Sequence, residues 1–435
     1  MIVPLFALVF YLCTFLAHAD PLLPLAEPSA SARDLFAANK ERLLQVRVLL
    51  ASAGEQSSLG SGFLVEDKIA GLPLVVTNYH VVSSLAMEPS KYRIELRGAN
   101  GRTVPAHLVA LDVVHDLAIL SIQPSPETAS WNSFALRSDP LPQGTKVFAL
   151  GNPLELGFLI SEGIYNGLVE SRIYAQMLFS GALNSGMSGG PAIDESSRVV
   201  GVNVATRRDG QALSFLVPVH YVRQLLIKAQ QITQTGLRVE WRSEVAQQLQ
   251  AHQDFVATTV LRPRVGFSSQ TLAGRKVPTL NGNLTKCWAK GSDGDSVRFQ
   301  NDGLECQLHS DLFVKNGFYT GSLHLKHELS RNQKLTTTQF LNMADRRYSL
   351  DRPVRSGREL SHRKCHGSYV QGVAHVYRVS VCVEAYRKFE NLYKFHLTAL
   401  QVDDPRERLH SSLVLDGFSF TNAHRIGAEF LGLLQ

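Results

Sequence analysis

Charged residues, repeats and cysteines are all scarce in this sequence, and each scarcity excludes a class of protein. Only 19% of the 435 residues are charged, against 44% that are hydrophobic, which excludes a disordered chain and a coiled coil. The sequence has no internal repeat and no low-complexity tract, so it is not collagen-like. At roughly 100 to 200 residues per domain, the length predicts two or three domains, each with its own core.

The N-terminus has no charge over residues 2–17, and this run ends in Ala-His-Ala at residues 17–19. Small residues in that spacing precede signal-peptidase cleavage. We therefore expect a signal peptide over residues 1–19 and an exported protein, periplasmic or secreted, with no stable membrane span after cleavage. A transmembrane anchor is the alternative, although the run is slightly short to cross a bilayer.

Cysteine occurs five times, and no two cysteines form a C-x-x-C pair. Cys13 leaves with the signal peptide, and the other four lie in the C-terminal half. In an oxidising compartment four cysteines predict two disulfides, with three connectivities open; sequential pairing would close two short loops. A zinc site is the competing interpretation, which the lack of C-x-x-C disfavours. These four cysteines are Cys287, Cys306, Cys365 and Cys382.

The net charge of +6 is unevenly distributed. Residues 20–235 contain 17 Lys and Arg against 19 Asp and Glu, whereas residues 236–435 contain 27 against 19. A polyanionic or protein partner of this basic half is one hypothesis, and a solvated basic face on a disulfide-linked β domain is the plainer one. Nucleic acid is not an expected partner of an exported protein. The basic residues concerned are Lys326, His327, His362, Arg363, Lys364 and His366.

Short strands separated by Gly, Pro, Asn and Ser clusters recur up to about residue 217. The first, over 44–50, alternates apolar and polar residues and predicts a half-buried strand. This rhythm is typical of an all-β barrel or sandwich. The apolar spacing that follows predicts one amphipathic helix, the polar run 230–236 a linker, and residues 238–256 a second helix. From about residue 280 short strands return, indicating a β-rich C-terminal domain.

Three motifs contain residues that could act together in catalysis. GSGFLV (60–65) is followed by TNYHVV, which presents His80; HDLAIL presents Asp116; and NSGMSGGPAID places Ser188 between glycines. Each motif alone is ordinary, since a histidine near a strand end, an aspartate in a turn and a serine between glycines are common structural residues.

Together these residues supply what acyl transfer needs. A serine hydroxyl is a poor nucleophile until an imidazole accepts its proton, and a carboxylate must hold that imidazole in the right tautomer. We therefore predict a catalytic triad of His80, Asp116 and Ser188, which requires no metal or cofactor. The glycines leave room for backbone N–H groups to converge on an oxyanion, and we expect those of Gly186 and Ser188 to do so.

The order of these motifs resembles the trypsin-like serine proteases, specifically the HtrA/DegP-like branch. The segments ALGNPLELGFLISEGIYNGLVES, VVGVNVA and SFLVP agree with that branch, and the resemblance covers about residues 31–232. It implies two six-stranded β-barrels, with His80 and Asp116 from the first and Ser188 from the second. The expected fold is thus mainly all-β, with a trypsin-like double β-barrel protease domain over 20–235.

The chain departs from the family pattern at three points. Met187 stands where Asn or Asp commonly precedes the serine, and we expect its backbone still to form the turn. Tyr79 replaces a commonly small residue before the histidine. No PDZ domain is recognisable after the protease domain, so residues 236–435 are expected to be a β-rich domain of unknown function.

The resemblance also assigns a specificity pocket. The position six before the nucleophile, which forms the pocket floor in trypsin-like enzymes, is Ala182, and the lining strand is Asn203, Val204 and Ala205. None of these carries a carboxylate, so a basic substrate side chain would be buried without a partner. Cleavage after Val, Ala, Leu or similar residues is the prediction.

The sequence thus predicts an exported serine endopeptidase that acts on polypeptide substrates through an acyl-enzyme intermediate, with protein quality control as its expected role. The alternative is a non-catalytic binding or chaperone-like protein that uses the protease fold as a scaffold.

Overall fold

The structure is a computed structural model, and it describes most of the chain after the expected signal peptide. Residues 1–28, with that signal peptide and Cys13, lie outside the described residues. Within the described part, no helix is both long and apolar enough to cross a membrane. The described residues are 29–152, 157–169, 172–206, 213–236, 239–280, 282, 284–291, 298–308, 310–347 and 357–434.

Six antiparallel strands form a first closed barrel. These strands are β1 (Leu43–Leu50), β2 (Gln56–Ile69), β3 (Leu72–Thr77), β4 (Tyr92–Gly98), β5 (Thr103–Asp112) and β6 (Leu117–Ile122). They close in the order β1-β2-β3-β6-β5-β4. Helix α1 (Ala30–Asn39) precedes this barrel, and helix α2 (Tyr79–Met87) connects β3 to β4.

A second closed barrel follows, again of six antiparallel strands. They are β7 (Lys146–Gly151), β8 (Leu159–Leu168), β9 (Met177–Phe179), β10 (Pro191–Ile193), β11 (Val199–Thr206) and β12 (Ser214–Pro218). Their order around the barrel is β10-β11-β12-β9-β8-β7. The double β-barrel expected from the sequence is confirmed, and the sandwich alternative is excluded.

Strand β1 is buried on both faces, although its alternation predicted a half-buried strand. Val46 and Val48 are fully buried in one apolar cluster, while Leu43 belongs to another that includes Phe36 of α1. Even the polar Gln45 is only 3% exposed. A strand of a closed barrel with helices packed outside has no solvated face, and residue alternation alone does not report this.

Two helices follow the barrels, α3 (Val219–Thr235) and α4 (Trp241–Phe255). The prediction of a linker over 230–236 is wrong, because α3 continues to Thr235 and ends at Gly236, whose φ of 64° forms a left-handed cap. The polar residues of this run lie mostly on the exposed side of the helix. Helix α4 confirms the second predicted helix.

The C-terminal half is built around one antiparallel sheet, as its β-rich sequence predicted. Its strands are β13 (Phe267–Leu272), β14 (Arg275–Leu280), β15 (Thr285–Gly291), β16 (Phe299–Leu308), β17 (Leu312–Lys315), β18 (Phe318–Thr320), β19 (Leu323–Asn332), β20 (Lys364–Gln371), β21 (Val376–Ala385), β22 (Tyr393–Gln401) and β23 (Glu407–Phe418). Seven of them form the sheet β15-β16-β19-β23-β22-β21-β20, while β13-β14 and β17-β18 are separate hairpins. Helix α5 (Thr337–Arg347) follows β19, and α6 (Phe420–Gly432) follows β23 and shares the core of the sheet.

The four cysteines form two disulfides in sequential pairing. Cys287 bonds Cys306, and Cys365 bonds Cys382, each with an S–S distance of 2.08 Å. Both bonds join residues directly opposite each other, between β15 and β16 and between β20 and β21. Each disulfide therefore fastens an edge strand of the large sheet to its neighbour.

The basic cluster predicted in this half is smaller than its sequence indicated. His327 is fully buried in β19, where its Nδ1 lies 2.7 Å from Ser411 Oγ and its Nε2 lies 2.7 Å from the Pro278 carbonyl oxygen. Burial lowers the pKa of His327 to about 4, so it adds no charge to the surface at neutral pH. Arg363 is also occupied, in an ion pair of 3.2 Å with the buried Glu384.

Candidate active site

His80 and Asp116 form a tightly bonded pair on the first barrel. His80 lies in the first turn of α2, directly after β3, and Asp116 lies in the turn between β5 and β6. Asp116 Oδ2 is 2.6 Å from His80 Nδ1, and Asp116 Oδ1 accepts the backbone N–H of His80 at 2.8 Å. Asn78 Nδ2 donates to the Asp116 carbonyl at 2.8 Å. The carboxylate therefore fixes both the ring and the backbone of the histidine.

The environment of His80 favours its protonated form. Burial disfavours the charged imidazolium, but the negative charge of Asp116 and its hydrogen bond outweigh this, so the pKa of His80 is raised. The His80 side chain keeps 29% of its surface exposed. A histidine held in this way can accept a proton from one side while a carboxylate stabilises the resulting charge from the other.

Ser188 lies on the second barrel, in the turn that precedes β10. Its hydroxyl donates to the carbonyl of Val204 at 3.0 Å, and among the described residues no hydrogen bond joins it to His80. The turn nevertheless packs directly on the first barrel, because a Cβ added at Gly189 would lie 2.4 Å from Thr77 Oγ1 and 2.9 Å from the backbone nitrogen of Asn78. The Ser188 turn therefore lies beside the end of β3, which leads into His80, while the Ser188 hydroxyl donates to a carbonyl of its own barrel.

Two backbone N–H groups in the turn around Ser188 have no hydrogen-bond partner among the described residues. The N–H groups of Met187, Gly189 and Gly190 all donate to backbone carbonyls, at 2.9 to 3.0 Å. Those of Gly186 and Ser188 donate to no group in the described part of the chain. Gly186 has a φ of 93°, a conformation that glycine adopts most readily. The two open donors are those predicted for the oxyanion hole.

Ser61 holds this loop in place, a role that the sequence did not reveal. Its fully buried hydroxyl donates to the Gly186 carbonyl at 2.7 Å and accepts the N–H of Asn152 at 2.9 Å. Its own N–H donates to the Ser188 carbonyl at 2.7 Å. Ser61 is the serine of the motif GSGFLV, whose residues had no chemical role predicted from the sequence.

Met187, the departure from the family pattern, is buried in the core of the second barrel at 1% exposure. The backbone still turns around it, since the Met187 N–H donates to the Asn184 carbonyl at 3.0 Å and its carbonyl accepts the N–H of Gly190. The apolar Met187 side chain therefore anchors the turn in the core of the second barrel.

The residues predicted for the specificity pocket occupy different environments. Ala182 is exposed and Val204 is half-buried. Asn203 is fully buried, and its Nδ2 donates to the carbonyls of Leu150 and Met187, at 2.9 and 3.3 Å. Its amide thus supports the turn that contains Met187 and Ser188. The side chain of Ala205 is not among those described.

Tyr79, the second departure, contacts the C-terminal half. Its fully buried side chain donates a 2.6 Å hydrogen bond from Oη to the Val314 carbonyl in β17. Burial raises the pKa of the Tyr79 hydroxyl, and the charge of Asp116 adds to this, so the group stays a donor.

Comparison with known proteins agrees with this geometry. The trypsin-like peptidase domain family matches residues 60–202. The mitochondrial serine protease HTRA2 of Drosophila pseudoobscura pseudoobscura is 31% identical over 190 residues, which are 41% of this chain and 41% of that protein. The putative serine protease HhoA of Synechocystis is 29% identical over 174 residues, covering 38% of this chain and 41% of that protein.

A solved serine endoprotease from Yersinia pestis aligns with 47% of this chain and 68% of its own, at 24% identity and a TM-score of 0.39. The chain spans about two fifths of the length of the two curated relatives. The match over 60–202 includes His80, Asp116 and Ser188. This part of the chain therefore matches the trypsin-like peptidase domain family and is similar to the serine proteases HTRA2 and HhoA.

Proposed function

We propose that this protein is a serine endopeptidase in which Ser188 is the nucleophile, His80 the general base and Asp116 the residue that orients it. The observation that carries the proposal is the convergence of the 2.6 Å His80–Asp116 bond with a serine turn that leaves the Gly186 and Ser188 N–H groups open. A nucleophile, an oriented base and two oxyanion donors are the parts that acyl transfer requires.

The reaction begins when Ser188 Oγ leaves the Val204 carbonyl and donates to His80 Nε2. His80 then takes the hydroxyl proton while Oγ attacks the substrate carbonyl, and Asp116 stabilises the imidazolium without being protonated itself. The Gly186 and Ser188 N–H groups bind the oxyanion. His80 next gives its proton to the leaving amine as the peptide bond breaks. Water then attacks the acyl-enzyme while His80 accepts its proton, and His80 returns that proton to Ser188 Oγ as the ester bond breaks and the acid is released.

A fluorophosphonate probe tests this assignment on the full chain. We expect the probe to add to Ser188 in the wild type and not in Ser188→Ala, with the adduct located by peptide mass spectrometry. Ser52→Ala is the matched control, because Ser52 is an exposed serine in the turn after β1, and it should label like the wild type. An unlabelled wild type that also cleaves no polypeptide would overturn the proposal and favour the non-catalytic scaffold.

The substrate preference follows from the uncharged pocket positions. Ala182 and Val204 offer no partner to a basic side chain, so cleavage after Val, Ala, Leu and similar residues is proposed. Mass-spectrometric profiling of a peptide library reads this directly, and dominant cleavage after Lys or Arg would refute it.

Export to an oxidising compartment, periplasmic or secreted, is part of the proposal, with protein quality control as the role and residues 236–435 as a separate C-terminal domain. The two cross-strand disulfides support the compartment, since such bonds persist outside the reducing cytosol. Sequencing the mature N-terminus and fractionating cells tests it. A mature protein that retains residues 1–19 in the cytosol would contradict it.

A further inference from the structure

The hairpin β17-β18 of the C-terminal half lies against the candidate active site. Strand β17 alternates, with Leu312 and Val314 buried at 5% and 0% exposure and Phe313 half-buried between them. The buried pair belongs to the same apolar cluster as Tyr79. Leu312, Val314 and the Tyr79 hydrogen bond therefore dock the hairpin. Phe313 packs only partly against this cluster, with its ring centroid 6.3 Å from that of Tyr79, and is half-buried.

Phe313 places its ring edge-on to the candidate catalytic histidine. The centroids of the Phe313 and His80 rings are 5.9 Å apart, with an interplanar angle of 76°. On its other side Phe313 meets Tyr319, directly opposite in the hairpin, at 5.4 Å and 80°. Tyr319 is 59% exposed. An aromatic wall thus runs from His80 outward to solvent.

This wall lies next to the place where a polypeptide substrate would react. During acyl transfer its scissile carbonyl must lie within bonding distance of Ser188 Oγ while His80 is hydrogen-bonded to the same oxygen. The side chains that flank the scissile bond then lie within a few ångströms of His80, and so near the Phe313 ring, whose centroid is 5.9 Å from that of the His80 ring. Burying apolar and aromatic side chains against aromatic surface is favourable, whereas a carboxylate buried there has no partner for its charge.

We propose that Phe313 is a specificity-determining residue, which with Tyr319 forms a subsite for a large apolar or aromatic side chain adjacent to the scissile bond. This inference rests on the proposed serine endopeptidase function. It makes the C-terminal half a part of the substrate site, and it gives a reason for a bulky tyrosine before the histidine, since Tyr79 holds the strand that carries Phe313.

The test is Phe313→Ala in the full chain, profiled on a peptide library that varies each position around the scissile bond. We expect kcat/KM to fall about tenfold for peptides with Phe, Tyr or Leu at one flanking position, the size of one aromatic contact. Peptides with Gly or Ala there should change less than about twofold. Fluorophosphonate labelling of Ser188 should be retained, because that small probe does not need the subsite.

Tyr369→Ala is the matched control, an aromatic residue of β20 in the same half that is 68% exposed, and it should profile like the wild type. Phe313→Leu and Tyr319→Ala carry the test if Phe313→Ala does not fold. An unchanged profile overturns the inference, and so does an equal loss for all peptides and for labelling, which would make Phe313 a positioning residue for His80. If the wild type neither labels nor cleaves, the proposed function itself fails.

Discussion

Replacing Ser61 by alanine should disable the loop that carries the proposed oxyanion donors Gly186 and Ser188, the oxyanion loop, without touching any residue of the proposed triad. The Ser61 hydroxyl is fully buried between two groups, the Gly186 carbonyl at 2.7 Å and the Asn152 N–H at 2.9 Å. Alanine leaves both without a partner, and each buried unpaired group costs about 1 to 3 kcal/mol. The loop can recover part of this by turning the Gly186 peptide, which moves one end of the oxyanion hole.

The size of the kinetic effect follows from what is lost. Removing a whole oxyanion donor costs about 10²- to 10³-fold in kcat. Ser61→Ala keeps the Gly186 N–H but loosens its position, so we expect kcat for peptide cleavage to fall about 10- to 100-fold, with KM little changed. The free energy of unfolding should fall by about 2 kcal/mol or more, as measured by urea denaturation.

A matched control separates these two effects. Ser411 is also a fully buried serine, and its Oγ lies 2.7 Å from His327 Nδ1 in the C-terminal sheet. Ser411→Ala should lower stability by a comparable amount and leave kcat within about twofold. If Ser61→Ala loses no more activity than Ser411→Ala, the assignment of Ser61 to the oxyanion loop is refuted.

Three further outcomes are expected. Because the pKa of His80 is raised and only its neutral form accepts a proton, kcat/KM should fall as the pH drops through a value above 6.5. Asp116→Asn should move this fall in kcat/KM to lower pH and cut kcat by about 10⁴, and a pH–rate profile in which the fall does not move would contradict this. Gly190→Ala should abolish fluorophosphonate labelling, since its Cβ would lie 2.1 Å from the Leu150 carbonyl oxygen, whereas Gly432→Ala, with nothing within 4 Å, should not. Replacing Cys365 and Cys382 by serine should destabilise the C-terminal sheet by about 3 kcal/mol, because the bond closes a loop of 17 residues; thermal unfolding that is equal with and without the bond would argue against this.

Local chemistry explains which parts of the site could be predicted from the sequence. The turn around Ser188 depends on Gly189 and Gly190, whose neighbours leave no room for a Cβ. These glycines can be read directly from the sequence. The turn that presents Asp116 is equally local. The contacts of Ser61 with Gly186 and of Phe313 with His80 join residues far apart in the chain, so no local pattern reports them.

The apolar alternation around His327 indicated a buried histidine, but the basic residues nearby concealed this pattern. Leu323, Leu325, His327 and Leu329 alternate along β19, and all four are fully buried. This period of two places the histidine on the core face of the strand. Neighbouring charges favoured a surface interpretation, whereas the alternation of the strand gives the correct one. The linker prediction over 230–236 failed for a related reason, because polar residues also cover the outer side of a helix.

The domain boundary predicted near residue 236 does not separate the two halves in their packing. Gln248 of α4 accepts the N–H of Val113 at 2.8 Å and donates to the Leu111 carbonyl at 2.9 Å, at the end of β5 and close to the turn that presents Asp116. On the other side of the pair, Tyr79 is bonded to Val314. The C-terminal half therefore contacts both segments that position the His80–Asp116 pair, so the geometry of this pair depends on residues that lie outside the peptidase domain match.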